Sequence, residues 1–258
     1  MDSITLSPKE LIVLSSMIGA KNFYGIQNPF RGMTKNEIQA EIPDIQLQLE
    51  KRGLVSLGFD DSFTMTPLCE AFLPVCALCE RYLTIESIAS GKIQPSIRIY
   101  FRGGEIVLLL YSDEGCELRK MTCDEAVKYL LTSTYSHCTD VTEDCSIFSI
   151  SQSDLGKIRN ISPKDALNFL IKADCPASVA EALILGLHQK CEYCSLIAVD
   201  LSNNLLNILM CIITAEGCLR LTPTEMHGSK EDIWEISWIN RDSIYTEIQS
   251  IINHYCEI

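Results

Sequence analysis

The segment HQKCEYC is the clearest candidate for chemistry, because it carries His188, Cys191 and Cys194. The spacing His-x2-Cys-x2-Cys offers three side chains of the kinds that bind zinc. A second Cys-x2-Cys pair, Cys76 and Cys79, lies in an apolar stretch, where this spacing is typical of the buried face of a helix. The two pairs lack the separation found in zinc fingers. We therefore favour interior thiols over a metal site, and we predict neither a metal nor a cofactor.

Other catalytic patterns are weaker. A redox-active Cys-x2-Cys pair sits at the N-terminus of a helix, whereas Cys191 and Cys194 follow a predicted helix and precede a strand. The sequence has no Gly-rich phosphate loop, no G-x-S-x-G and no H-E-x-x-H motif. We therefore expect a non-enzymatic binding protein, and an enzyme that uses a thiol such as Cys194 stays open as an alternative.

The charge balance narrows the classes of partner. The 258 residues include 21 Lys and Arg and 34 Asp and Glu, which gives a formal net charge of −13. Such a surface repels the phosphates of nucleic acids and anionic lipids, so we expect no nucleic-acid partner and no membrane insertion. The N-terminus has no secretion signal, and the 13 cysteines form an odd number. Reduced thiols and a cytoplasmic location follow as expectations.

Helix-start signals mark the first part of the chain. Ser7, Pro8 and Glu10 predict a capped helix that begins at the proline. Thr34 and Glu37 predict a second capped helix. The apolar stretch 67–83, PLCEAFLPVCALCERYL, predicts another helix that is kinked or divided near its second proline.

β-rich runs follow in both halves of the chain. Two runs flank Arg102–Glu105, which is a hairpin signal, and a third strand is predicted over 116–121. Further along, two longer runs flank Ser202–Asn204. Further predicted elements are a helix after residue 121, a strand over 145–151, helices over 160–176 and 177–190, a third strand after the second pair of runs, a strand over 232–240 and an amphipathic helix over 241–256.

The phrase Glu-Gly-Cys occurs twice, about a hundred residues apart, each time after an apolar run. We interpret Gly115 and Gly217 as turn residues with positive φ. Cys116 and Cys218 would then be equivalent strand positions in two copies of one unit.

This repeat predicts an α+β fold with two pseudo-twofold-related halves that share a mainly antiparallel sheet with flanking helices. We expect a single domain over 1–258. Its predicted halves are 1–159, which carries an extra helical segment at about 20–90, and 160–258.

Several segments resemble EspG-like proteins, the cytosolic substrate-binding chaperones of type VII (ESX) secretion systems. These are LSPKELIVLSSMIG, LEKRGLV, the apolar helix after it, the Glu-Gly-Cys phrases and the W-x-I…I-x-x-I end. The resemblance implies a chaperone or adaptor for secreted helical proteins of a type VII system. The cysteine content differs from that of the mycobacterial members, which favours a distant relative of Firmicutes type.

The resemblance also implies a binding surface on the sheet and its adjoining loops. By position, this surface would include Asp113, Glu114 and Gly115 at one turn and Trp234 and Trp238 on the last strand. Formation of a homodimer is left as an open possibility.

A transcriptional regulator is the alternative function. Residues 1–90 resemble a winged helix, which would precede an α+β sensing domain. Residues 1–58 are neutral overall, unlike the acidic remainder. However, the expected recognition helix over 34–50 offers only Lys35 for phosphate contacts.

Overall fold

The structure is a computed structural model of the chain. It describes residues 3–58, 62–89, 92–94, 96–112, 115–135, 147–188, 192–202, 205–214, 217–224 and 232–256. Among these residues, no helix is long and apolar enough to cross a membrane.

The described elements alternate between short helices and β-strands. The helices are α1 (Pro8–Met17), α2 (Lys35–Lys51), α3 (Pro67–Glu70), α4 (Leu73–Ala77), α5 (Cys123–Ser133), α6 (Gln152–Asn160), α7 (Pro163–Lys172), α8 (Ala177–His188) and α9 (Arg241–Cys256). The strands are β1 (Ser3–Leu6), β2 (Val55–Leu57), β3 (Phe63–Met65), β4 (Arg81–Ala89), β5 (Lys92–Ile93), β6 (Ser96–Arg102), β7 (Glu105–Ser112), β8 (Gly115–Met121), β9 (Phe148–Ser151), β10 (Glu192–Asp200), β11 (Leu205–Ile213), β12 (Cys218–Thr224) and β13 (Ile233–Ile239).

One antiparallel sheet organises the molecule. Its strand order is β1-β8-β7-β6-β4-β10-β11-β12-β13-β9, with β5 paired to β4, while β2 and β3 pair separately with each other. The order is symmetric about the central pair β4 and β10. On each side, the strand second from the edge leads into a helix (α5 or α9), and the edge strand leads into another (α1 or α6). The predicted α+β class with two pseudo-twofold-related halves is confirmed.

Helices cover both faces of this sheet. On the front face, α5 and α9 pack over the middle of the sheet and share one core with side chains such as Leu83, Leu196 and Leu209. On the back face, α1 to α4 cover the first half around Leu109, and α6 to α8 cover the second half around Leu221. The front core therefore spans both halves, whereas the back face has two separate helix layers.

The predicted helix starts of α1 and α2 are confirmed. Ser7 Oγ accepts a hydrogen bond from the Glu10 N–H at 3.2 Å, and the Glu10 carboxylate accepts one from the Ser7 N–H at 2.7 Å. Thr34 and Glu37 form the same capping box. α2 continues through Pro43 without division.

The helix predicted over 67–83 is only partly correct. It is divided, as expected, into α3 and α4, but Arg81 begins β4 rather than continuing a helix. The alternation of buried Leu83 and Ile85 with the half-buried Tyr82 and Thr84 fits a strand. The helix-period signal of the preceding cysteines and leucines masked this two-residue period. α6 also lies in a segment for which the sequence predicts no element.

The two glycines of the repeated phrase have the predicted positive φ, 143° at Gly115 and 150° at Gly217. However, Cys116 and Cys218 are not equivalent positions. Cys116 lies in the back-face core of the first half, and Cys218 lies in the front-face core. The pseudo-twofold axis passes between β4 and β10, perpendicular to the sheet, so it maps each face onto itself. This axis relates β8 to β13, not to β12.

The predicted boundary between residues 159 and 160 stays a prediction. β9 and α6 precede residue 160, yet β9 pairs with β13 at the outer edge of the second half. By sheet position, we propose that the second half begins with β9 at Phe148.

Candidate partner-binding surface

The predicted turn at residues 113–115 lies near one edge of the sheet. Asp113 and Glu114 fall outside the described residues. Gly115 is buried at the start of β8, and a Cβ at this position would lie 3.0 Å from the carbonyl oxygen of Leu6 in β1. Gly115 therefore lets the edge strand approach closely, which is a structural role.

Trp234 and Trp238 lie on the back face of β13, beneath the second helix layer. Both rings are half-buried against the core formed by α6 to α8. The indole of Trp234 donates a hydrogen bond to Gln152 of α6, and that of Trp238 donates one to Ser178 of α8 at 3.4 Å. Each ring thus packs against a different helix of this one layer and keeps part of its surface exposed.

The structure does not bring the two predicted regions together. Strands β7, β6, β4, β10, β11 and β12 lie between β8 and β13. At about 4.8 Å per strand, this separation is about 34 Å along the sheet. One compact partner contact cannot include both Gly115 and the tryptophans.

The residues considered as zinc ligands and set aside also lie apart. Cys194 is fully buried in the front-face core, whereas His188 ends α8 on the back face and its Nε2 lies 2.9 Å from the carbonyl oxygen of Ile158. Cys191 falls outside the described residues. Burial raises the pKa of the Cys79 thiol to about 12 and raises that of Cys76 well above its usual range. Both thiols are therefore protonated near neutral pH.

A different surface lies between the two helix layers on the back face. We call it the central strip; it is formed by the outward side chains of β4, β10 and β11. Thr84, Ile197 and Ile208 face each other across these strands, and Val199 is the next outward residue along β10. All four are half-buried, and none belongs to a helix-covered core. Three of these four side chains are apolar, and the described helices leave this patch of the sheet uncovered.

Close packing contacts fix the elements on the two sides of the strip. On one side, α8 lies directly over β11, because a Cβ at Gly186 would come within 2.5 Å of Ile212 Cγ2. On the other side, the loop after α1 packs onto the sheet where Tyr24 stacks on Tyr82 with ring centroids 5.5 Å apart. The strip is therefore bordered by an N-terminal loop on one side and by α8 on the other.

A buried arginine lies beside the strip. Arg98 is 7% exposed and faces Thr84 across the strand pair β6 and β4. Its Nη1 donates to the carbonyl oxygen of Ile97 at 2.9 Å and to the Ser96 hydroxyl, while its Nε has no hydrogen-bond partner among the described residues. Burial lowers the pKa of this guanidinium from its ordinary value. Within the described residues, no carboxylate forms an ion pair with Arg98.

Sequence reasoning missed the central strip because it depends on the pairing of β4 with β10. These strands are more than a hundred residues apart, and β4 was expected to begin as a helix. The alternation in β10, with Cys194, Leu196 and Ala198 buried on one side, was the available signal. It identifies one strand of the strip but not its neighbours.

The winged-helix-like segment is part of the main fold. α1, α2 and the β2–β3 hairpin occur in the expected order. However, β1 pairs with β8, and α1 and α2 share a core with the sheet. The exposed positions of α2 include Glu37 and Asp44 as well as Lys35, a poor match for DNA phosphates.

Comparison with known proteins identifies a structural relative. The chain is similar to the type VII secretion system chaperone EspG5 of Mycobacterium tuberculosis, solved in complex with the PE25–PPE41 dimer. The TM-score is 0.64, the sequence identity is 10%, and the match covers 99% of this chain and 96% of EspG5. No protein-family model and no curated protein matches the sequence. The match extends over the N-terminal helical segment as well as both sheet halves, and so this chain has an EspG-like fold.

Proposed function

We propose that this protein is a non-enzymatic chaperone or adaptor that binds helical substrates of a type VII secretion system in the cytoplasm. The observation that carries the proposal is the similarity to EspG5 over 99% of the chain and 96% of EspG5. Membership of the EspG-like family, as a distant relative, is part of the same proposal. The homodimer stays a prediction.

We further propose that the partner docks on the central strip. Three of its four side chains are apolar, at Ile197, Val199 and Ile208. A secreted helical protein must keep its own apolar surface away from water before export, and these side chains can cover that surface.

Purification from the native host tests the proposed function. A tagged copy of the chain is isolated with its bound proteins, and these are identified by mass spectrometry. We expect a helical protein that depends on a type VII system for export. Recovery of the chain without such a partner, together with neighbouring genes unrelated to secretion, would count decisively against the proposal.

Matched variants test the docking surface. Ile197→Glu places a carboxylate in the central strip, and Ile171→Glu makes the same change on α7, where Ile171 is 52% exposed. We expect the first variant to lose the partner and the second to keep it, with circular dichroism confirming that both are folded. Equal retention of the partner by both folded variants would place the contact elsewhere.

A further inference from the structure

Two cysteines on the front face touch each other. Cys123 is the first residue of α5 and Cys256 is the last residue of α9. Their Sγ atoms are 2.7 Å apart, about 0.65 Å more than the length of a disulfide bond. The two residues are 133 positions apart in the sequence, so their proximity comes from the packing of α5 against α9.

The same two cysteines are the accessible ones. Cys123 and Cys256 are half-buried, whereas the other cysteines that the structure describes are buried. Burial raises the pKa of several of these others, to about 11 for Cys116 and about 12 for Cys175, which keeps them protonated and unreactive. The accessible thiols of the described chain are thus already in contact.

We propose that Cys123 and Cys256 form a reversible disulfide that joins α5 to α9 when the protein meets a low-molecular-weight disulfide such as oxidised glutathione. One thiolate attacks this disulfide, which forms a mixed disulfide and releases one small thiol. The second cysteine attacks the mixed disulfide, which forms the protein bond and releases the second small thiol. The two protein sulfurs are oxidised, the small disulfide is reduced, and the two thiol protons end on the released thiols.

The bond would cross-link the two halves of the molecule. α5 follows the first half of the sheet and α9 closes the second, so the bond would tie the C-terminal helix to the first half. Because it would close a loop of more than a hundred residues, it restricts the unfolded chain strongly. We expect the melting temperature to rise by roughly 4–15 °C. This inference does not depend on the proposed function.

The experiment uses the purified full chain with oxidised glutathione and, in parallel, with a reductant. Remaining thiols are alkylated, and the disulfide-linked peptides are identified by mass spectrometry. We expect a peptide pair that joins Cys123 to Cys256, together with the higher melting temperature. Cys123→Ser and Cys256→Ser should each abolish both effects, and both positions are exposed enough to accept serine without loss of folding.

A second variant excludes competing thiols. Cys138, Cys145 and Cys191 lie outside the described residues, and their triple replacement by serine should leave the cross-link and the melting shift unchanged. The inference is overturned if Cys123 and Cys256 remain alkylated in this variant, if they pair with other cysteines, or if their bond lowers the melting temperature.

Discussion

At the scale of single residues, the contact between Gly25 and Arg98 sets one side of the central strip. Gly25 has φ of 83°, a left-handed conformation that glycine adopts without strain. A Cβ there would lie 2.8 Å from Cδ of Arg98 and closer still to its Nε. The missing side chain therefore makes room for a buried guanidinium beneath the N-terminal loop.

Replacement of Gly25 by alanine should therefore destabilise the protein more than the same change at Gly32. Gly32 has a similar φ of 88°, but a Cβ there would have no neighbour within 4 Å. Gly32→Ala should lower the unfolding free energy by about 1–2 kcal/mol, because alanine is strained in the left-handed conformation. Gly25→Ala should cost about 1–3 kcal/mol more, because Arg98 must move within a packed core.

Urea unfolding of both variants measures the difference. Equal losses of unfolding free energy would mean that Arg98 moves away freely and that the contact does not fix the loop.

Single-residue features were also those that the sequence predicted best. The capping boxes at Ser7 and Thr34 and the positive φ of Gly115 and Gly217 depend on neighbours a few positions away, so short patterns carry the information. The role of Gly25 depends instead on Arg98, far along the chain, and no local pattern indicates it.

At the scale of elements, the pairing of β4 with β10 joins the two halves of the sheet. Arg81 Nε donates to Asp200 Oδ2 at 2.9 Å across the two strands, and the side chains are 7% and 2% exposed. Asp200 also accepts from the backbone and side chain of Ser202, which fixes the turn after β10. The guanidinium lies 5.8 Å from the ring centre of Tyr255 in α9. The ion pair thus connects the central strands to the C-terminal helix.

Removal of one charge from this buried pair should lower the unfolding free energy far more than removal of one charge from an exposed pair. Asp200→Asn leaves Arg81 buried beside a neutral side chain, so we expect a loss of about 3–5 kcal/mol in unfolding free energy. Glu105→Gln breaks the exposed cross-strand pair of Glu105 with Lys120, whose oxygen and nitrogen lie 2.6 Å apart, and should cost less than about 1 kcal/mol.

Chemical unfolding of the two variants under identical conditions gives the comparison. Similar small losses would show that Arg81 finds water or another acceptor when Asp200 is neutral.

The elements that the sequence failed to predict are those whose identity depends on distant partners. β4 carries only a short alternation and becomes a strand because β6 and β10 pair with it on both sides. The repeated Glu-Gly-Cys phrase correctly predicted a positive φ at both glycines, yet it related β8 to β12. Turn chemistry is local, whereas the position of a strand in a sheet is not.

At the scale of the whole molecule, buried thiols are spread over several cores. Cys79 and Cys116 lie in the back-face core of the first half, and Cys175 lies in that of the second. Burial raises their pKa values from 9.0 to about 12, 11 and 12. In the unfolded chain these thiols lose their protons at lower pH than in the folded protein.

The stability of the reduced protein should therefore fall as pH rises above about 9. The folded pKa values are raised, so the stabilisation is complete well below pH 9 and is lost as pH rises from 9 through the folded values of about 11 and about 12. Each thiol contributes at most about 1.4 kcal/mol per pH unit. Urea unfolding with reductant at pH 8, 9 and 10 measures this slope.

Cys175→Ala provides the control for this pH dependence. It should reduce the slope by about one thiol's contribution while leaving the other cores unchanged. A slope that is flat, or that is identical in the variant, would contradict the assignment of the pH dependence to buried thiols.

The central pairing of the sheet also has a consequence for synthesis on the ribosome. Arg81 and Asp200 are 119 residues apart, so β4 emerges long before the strand that covers its edge. At a synthesis rate of about 5–20 residues per second, β10 is made roughly 6–24 s after β4. During this interval, β6, β7 and β8 can form their local hairpins, while the inner edge of β4 stays open to pairing with other chains. Nascent first halves are therefore the stage at which this protein is most exposed to aggregation, and closure of the central ladder is the step that ends it.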